Sequence, residues 1–302
     1  MAGEIRPCRT GLAMTSLLVS QLANGLVLGG LYVLIAIGLS IIFGLLGIVN
    51  FAHGAFFALG AYFGLTLYNQ FGWAAVVLAP LLVGALGMIV ERLLIRHLYD
   101  KDPLVSLIVT FALALLIEAL TRVIWGGLGQ PFGQPEWLSG IFLWGPVLIT
   151  RYRFTVFVVT VLLLVGLWAF MQFTPYGRIL RAGSRDPEMV GLLGIRLPSV
   201  LTAVFGLGCC IAGIAGVLAA PLWTVYPAMQ EGAIMPALVV VTIGGLGSFA
   251  GAVIAGLLVG VVTTMTIQFE PAAANAVMYV FMAVVLLLRP RGLLGERWER
   301  FE

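Results

Sequence analysis

Gly38–Gly64 reads GLSIIFGLLGIVNFAHGAFFALGAYFG. The stretch is apolar and long enough to cross a bilayer. Yet Gly44, Gly47, Asn50, His53 and Gly54 interrupt it where a membrane helix should be continuous. Lipid offers no water to satisfy freed backbone groups, so such an interruption survives only beside a cavity or inside packed protein. Broken membrane helices commonly mark transport pathways. A second interruption lies in Pro236–Gly260, PALVVVTIGGLGSFAGAVIAGLLVG. Asn50-Phe51-Ala52-His53-Gly54-Ala55 in the first matches Ser248-Phe249-Ala250-Gly251-Ala252 in the second, less one residue. Two matched breaks predict an internal repeat. They nominate Asn50, His53, Gly54, Gly244, Gly245, Gly247 and Ser248 as pathway residues.

The rest of the chain supports a membrane setting. It has 302 residues, of which 61% are hydrophobic and 10% charged, with a mean hydropathy of +1.11. A soluble domain carries about 25% charged residues. The fold class is therefore an all-α polytopic membrane protein, read as a single transmembrane domain over 1–302. The net charge of +3 is small and suggests no nucleic-acid partner. Cys8, Cys209 and Cys210 make neither a disulfide framework nor a metal spacing. Arg6 and Arg9 precede an apolar run too long for a cleaved leader, so that run reads as an uncleaved first span.

A span needs about 20 apolar residues. Full spans are expected near 17–38, 74–96, 103–125, 154–173, 199–222 and 272–289. Segments 39–68 and 234–268 are too long for one crossing and too short for two plus a loop. Each reads as a half-helix that turns near mid-membrane and continues as a helix back to its own side, giving about eight to ten membrane segments. With the N-terminus inside and both broken pairs entering from outside, 13 of the 16 basic residues fall inside and only Arg122, Arg151 and Arg153 outside. That bias follows the positive-inside rule. Span, half-helix, helix, span at 17–96 then recurs in the same orientation at 199–289, with 103–173 linking the two units.

Two loops stand out. Residues 126–153 form a large outer loop in which Ile141–Trp144 and Val147–Arg151 flank Gly145-Pro146, a hairpin pattern. Trp125, Trp137, Trp144 and Trp223 fall at the outer boundary as an aromatic belt. The inner loop, 174–198, is predicted to hold a short helix. Asp186 caps it, Pro187 opens it, Glu188 lies in its first turn and Gly194 ends it. Met189, Val190, Leu192 and Leu193 give it an apolar side, for lipid or for a partner.

Taken together these segments resemble the LivH-type permease of the branched-chain amino acid ATP-binding-cassette (ABC) importers, from Asn24 to Gly295. The resemblance runs through Asn24-Gly25-Leu26 with Gly29-Gly30-Leu31-Tyr32, and through Asn50-Phe51-Ala52-His53-Gly54 with Leu59-Gly60-Ala61-Tyr62. It continues in Gly177-Arg178, Leu180-Arg181-Ala182, Asp186 and Leu193-Gly194-Ile195, then in Gly244-Gly245-Leu246-Gly247-Ser248 and Arg289-Pro290. It implies a multi-pass protein of the bacterial inner (plasma) membrane, with both termini cytoplasmic. It implies partners: a second homologous permease, two cytoplasmic ATPase subunits that bind the ATP, and an extracytoplasmic solute-binding protein. Gly177, Arg178, Arg181, Asp186, Glu188 and Gly194 become the ATPase-coupling loop. Ala55 and Ala233-Ile234-Met235 depart from the pattern, since many relatives carry an acidic residue at the first place and a basic residue with an aromatic at the second. These departures leave transport intact and open the substrate to urea, amides or aromatic compounds beside branched-chain amino acids.

Glu118 is the one carboxylate well inside an expected span, and Arg122 four residues on gives it a local ion pair; a proton relay is the sharper alternative. Asn50 and His53 can satisfy backbone groups freed at the first break or line the pathway. A lone His without Cys, Asp or a second His is not a metal site. No P-loop, nucleophile elbow or zinc-helix motif is present. The chain therefore reads as a transport subunit without chemistry or cofactor of its own. A self-sufficient channel or ion-coupled transporter for a small neutral solute is the alternative.

Overall fold

The computed structural model describes residues 8–99, 101–144, 147–185, 187–195 and 197–295. The elements run α1 (Cys8–Leu46), α2 (His53–Phe71), α3 (Ala75–Leu93), α4 (Pro103–Trp125), β1 (Ile141–Trp144), β2 (Val147–Thr150), α5 (Arg151–Phe173), α6 (Pro175–Arg185), α7 (Pro187–Leu192), α8 (Leu197–Ala219), α9 (Met229–Gly244), α10 (Phe249–Phe269) and α11 (Ala274–Leu288). Among the described residues, seven segments are long and apolar enough to cross a bilayer, and one of them, 53–93, holds both α2 and α3. The strands form the expected hairpin, Ile141 opposite Thr150 and Trp144 opposite Val147. Arg151 belongs to α5, where Thr150 caps the first turn by accepting from the Arg153 N–H.

Helix directions follow from paired contacts. α1 and α10 are antiparallel: Gln21 donates to Gln268 at 2.6 Å at one end, and Gly44 lies against Gly247 at the other. The first end of α1 sits with the large loop, because the Leu148 N–H donates to Ser20 Oγ at 3.0 Å and Arg153 donates to Asn24 at 2.6 Å. The far end meets α6, where Leu45 faces Gly183. α1 is therefore one continuous helix. Its 31-residue apolar stretch from Ser16 to Leu46 spans about 46 Å at 1.5 Å per residue.

This corrects one expectation. Residues 39–46 are the end of the first helix and not a separate half-helix, since Gly44 is tolerated inside it and the chain turns only at Gly47, φ +67°. The described beginning of α1 lies on the loop face, opposite the end of α11. Arg92, Arg96, Lys101, Arg178, Arg181, Arg185, Arg289 and Arg291 are 8 of the 12 described basic residues and mark one basic face. Arg9, Arg122, Arg151 and Arg153 are the other four.

The turns also differ in depth from expectation. α1 reaches the basic face, and residues 47–52 then climb back along it. His53 Nε2 lies 3.1 Å from the Ile35 carbonyl oxygen, about halfway along α1 between Asn24 and Leu45. α2 thus starts inside the membrane. α9 starts there too, since a Cβ on Gly54 would lie 2.8 Å from the Gln230 carbonyl oxygen. The two helix N-termini meet at depth and not at the outer mouth. The second turn, 245–248, sits at the basic face against the Arg289–Gly295 segment.

The core forms around α1, whose Leu31, Val33, Ile35, Ala36, Ile37 and Ile42 are fully covered. A helix apolar on every side belongs in a core. α2 and α3 pack on α8 in opposite directions: Phe56 meets Phe205 edge-on, while Gly84 and Gly87 lie against Cys210 and Cys209. Small residues permit this approach where lipid supplies no hydrophobic drive between helices. α5 and α11 expose most of their apolar surface at the periphery.

Candidate functional site

Each break must account for its unpaired backbone groups. At the first, Asn50 Oδ1 accepts from the Ala52 N–H at 3.1 Å, and Thr110 Oγ1 of α4 accepts from the Phe51 N–H at 3.3 Å. The His53 N–H donates to the Asn50 carbonyl at 3.2 Å. Asn50 and His53 are buried, and Asn50 Nδ2 and His53 Nδ1 have no hydrogen-bond partner among the described residues. Gly54 lets α9 approach α2, with Ile234 against it.

At the second break, Ser248 caps α10 by accepting from the Gly251 N–H at 3.1 Å. The Leu293 and Leu294 N–H groups donate to the carbonyls of Ile243 at 2.7 Å and Gly244 at 3.1 Å. They complete the end of α9. Gly245, φ +98°, is enclosed by Gly295 and Arg291, and Gly244 packs against Gly251. A crevice on the basic face, lined by Ile41, Gly44, Leu45, Leu180, Gly247 and Phe249, joins this break to α6. The structure thus brings Gly247 beside the end of α1, whereas Asn50, His53 and Gly54 lie deeper.

The inner loop is two helices, α6 and α7. Gly194, φ +78°, ends the second, its N–H donating to the Gly191 carbonyl at 3.0 Å. Leu180 and Val190 are buried anchors, whereas Met189, Leu192 and Leu193 are exposed. Leu192 is 83% exposed, so the apolar side of this helix is presented outward. Gly177 is buried and Arg178 exposed. Arg181 turns back to donate to Gln172 Oε1 at 2.7 Å at the end of α5. Asp186 lies outside the described residues, as does the side chain of Glu188.

Glu118 pairs with Arg122 at 2.9 Å. It also accepts from Gln230 Nε2 at 2.8 Å, which ties α4 to the first turn of α9. Sequence spacing reached the first partner only. A second carboxylate escaped it altogether. Glu91, in the last turn of α3, is fully buried. It accepts from Tyr99 Oη at 2.7 Å and from Thr202 Oγ1 at 2.6 Å, with Arg96 at 3.4 Å. Burial, then the bond to Glu91, pushes the Tyr99 phenol well above its ordinary range and keeps it a donor. Thr202 lies 111 residues from Glu91, so no local spacing announces the cluster.

The whole described span matters when this geometry is set against known proteins. Residues 21–288 match the family described as the permease component of the branched-chain amino acid transport system. The chain is 32% identical over 295 residues to the high-affinity branched-chain amino acid transport system permease protein BraD of Pseudomonas aeruginosa, covering 92% of this chain and 95% of that protein. It is 29% identical to LivH of Escherichia coli, a permease protein of the same described system, with the same coverage. It is 26% identical to LivM of Escherichia coli over 87% of this chain and 68% of LivM. No solved structure matches it. The chain is a multi-pass membrane protein that belongs to the family of branched-chain amino acid transport permease components.

Proposed function

We propose that this chain is one permease subunit of an ATP-driven importer and forms part of the pathway for branched-chain amino acids. Its basic face is cytoplasmic by the positive-inside rule. In this reading a second homologous permease completes the pathway, two cytoplasmic ATPase subunits bind and hydrolyse ATP, and an extracytoplasmic protein delivers the solute to the 126–150 face. The similarity to both LivH and LivM supports pairing of two related permeases.

The observation that carries the reading is the outward apolar face of α7 on the basic side. Met189, Leu192 and Leu193 stand exposed beside buried Val190. A helix anchored by one apolar residue and presenting three others fits a groove on a partner protein, and the α6–α7 segment is the coupling element. Arg181 holds α6 to the end of α5, which gives that element a firm base. The breaks act as joints: Asn50, His53, Gly54, Gly244, Gly245, Gly247 and Ser248 let helices change direction beside the pathway. Of the positions where the family pattern is not followed, Ala55, Ala233 and Ile234 are buried in packed protein and Met235 is exposed. They are compatible with an apolar amino acid.

The test is a mild-detergent purification of the tagged chain from its own membranes, followed by mass spectrometry and by leucine uptake after reconstitution. Recovery of two ATPases and a second permease, with ATP-dependent uptake, is expected. A chain that purifies alone and moves solute without ATP would point to a channel or ion-coupled transporter. Leu192→Asp is expected to abolish uptake while membrane insertion persists; normal uptake in that variant would remove the coupling role of α7.

A further inference from the structure

The coupling segment ends at Gly194, and α8 begins three residues later at Leu197. Besides the contacts of α6 with the ends of α5 and α1, a displacement of α7 is passed along the chain to the basic end of α8. α8 can carry it into the membrane alone or together with what is fastened to it. The fastening is specific. Thr202, one turn into α8, donates to Glu91 Oε2 at 2.6 Å and accepts from Arg96 Nη2 at 2.7 Å. Arg96 also reaches the Pro198 carbonyl at 3.4 Å, and Tyr99 closes Glu91 Oε1 at 2.7 Å. Above this cluster, α3 and α8 run antiparallel in close contact, Gly84 and Gly87 against Gly206, Cys209 and Cys210, and Pro80 and Val83 against Gly213.

A fully buried carboxylate is costly unless it is paired and hydrogen-bonded. Here both oxygens are held by neutral hydroxyl donors from two separate elements, with one guanidinium at the longer distance. The apolar packing of α3 on α8 would persist without a charge at this place. The cluster adds direction: hydrogen bonds of fixed geometry at the end where force enters.

From this we infer that Glu91 is a positioning residue for coupling, pinning the basic end of α8 to α3 so that both helices move as one body when the α6–α7 segment is displaced. The inference rests on the importer reading above. Neither the exposed face of α7 nor the matched breaks is needed for the pinning itself, which stands on the Glu91–Thr202–Arg96–Tyr99 geometry.

The experiment uses the assembled, reconstituted importer and measures two quantities in each variant: leucine moved per ATP hydrolysed, and the melting midpoint of the complex. Glu91→Gln keeps the shape and removes the charge. Thr202→Val removes the hydroxyl without leaving an unpaired charge, and Thr202→Ser restores it. The expected result is a fall of about tenfold in solute moved per ATP for Thr202→Val, within the usual size of coupling free energies. ATP hydrolysis should continue, and Thr202→Ser should recover most of the ratio. Glu91→Gln is expected to act in the same direction. If uptake and hydrolysis fall together while the ratio stays unchanged, or if only the melting midpoint moves, the cluster merely holds the fold and the inference is overturned. A wild-type complex without ATP-dependent uptake would instead overturn the importer reading, and this inference with it, before any variant is compared.

Discussion

The two matched breaks look alike in sequence and are held in different ways. Both follow a helix, both turn through a glycine at positive φ, Gly47 in one and Gly245 and Gly247 in the other, and both precede a helix with a small polar residue near its start. The first is held by side chains: Asn50 on Ala52 and Thr110 of α4 on Phe51. The second is held mostly by backbone, with Leu293 and Leu294 completing the end of α9. A break held by side chains can be loosened by one substitution at its anchor. A break closed by backbone resists changes to its neighbours' side chains but has no room for added atoms.

That contrast orders the expected effects. Gly245→Ala is the most disruptive, because the left-handed backbone disfavours a Cβ and that atom would lie 2.5 Å from the Gly295 backbone. Destabilisation on the order of 3 kcal/mol or more is expected from the two penalties combined. It would be read as loss of the monodisperse peak after heating in detergent. A variant as stable as the wild type would mean that the 289–295 segment does not close the break. Thr110→Val comes next. It removes the acceptor of the Phe51 N–H while preserving volume, and about 2 kcal/mol is expected for a partly buried donor left unpaired. Thr110→Ser should recover most of it, and a Ser variant no better than Val would shift the role of Thr110 from hydrogen bonding to packing.

Much of this contrast was legible in the sequence, and the reasons for the rest are physical. Glycine spacing located both breaks, two apolar runs flanking Gly145-Pro146 located the hairpin, and the spacing of Glu118 and Arg122 gave their ion pair. The continuity of α1 was hidden because Gly44 looks like a breaker, yet it fits inside a helix where Gly247 approaches it. Depth was invisible as well. Nothing local says that residues 47–52 return to the level of Ile35 before α2 begins. Glu91 was missed because its hydroxyl partners come from Tyr99, beyond the end of its helix, and from Thr202 on a helix far along the chain.

Smaller effects sharpen the same comparison. Gly47→Ala meets open space, so only the left-handed backbone opposes it, at about 1 kcal/mol. Its melting midpoint should fall clearly less than that of Gly245→Ala, and an equal fall would erase the distinction between an open turn and an enclosed one. Glu118→Gln is expected to be the mildest, about 1 kcal/mol or less, because its partner Arg122 is largely exposed and screened. Expression should drop modestly while the pH dependence of uptake stays in place. A large shift of the pH profile with normal expression would restore a proton relay through Glu118.

The account depends most on which face of the membrane carries the 175–195 segment. The direct measurement is labelling of single cysteines by a membrane-impermeant maleimide, with the chain expressed alone in a background lacking its own cysteines. Leu193→Cys and Ser139→Cys would be compared in intact cells and in inside-out vesicles. The predicted result is that Ser139→Cys reacts in intact cells and Leu193→Cys reacts only in inside-out vesicles. Labelling of Leu193→Cys in intact cells would put the α6–α7 segment outside, beyond the reach of any cytoplasmic ATPase, and would contradict the account.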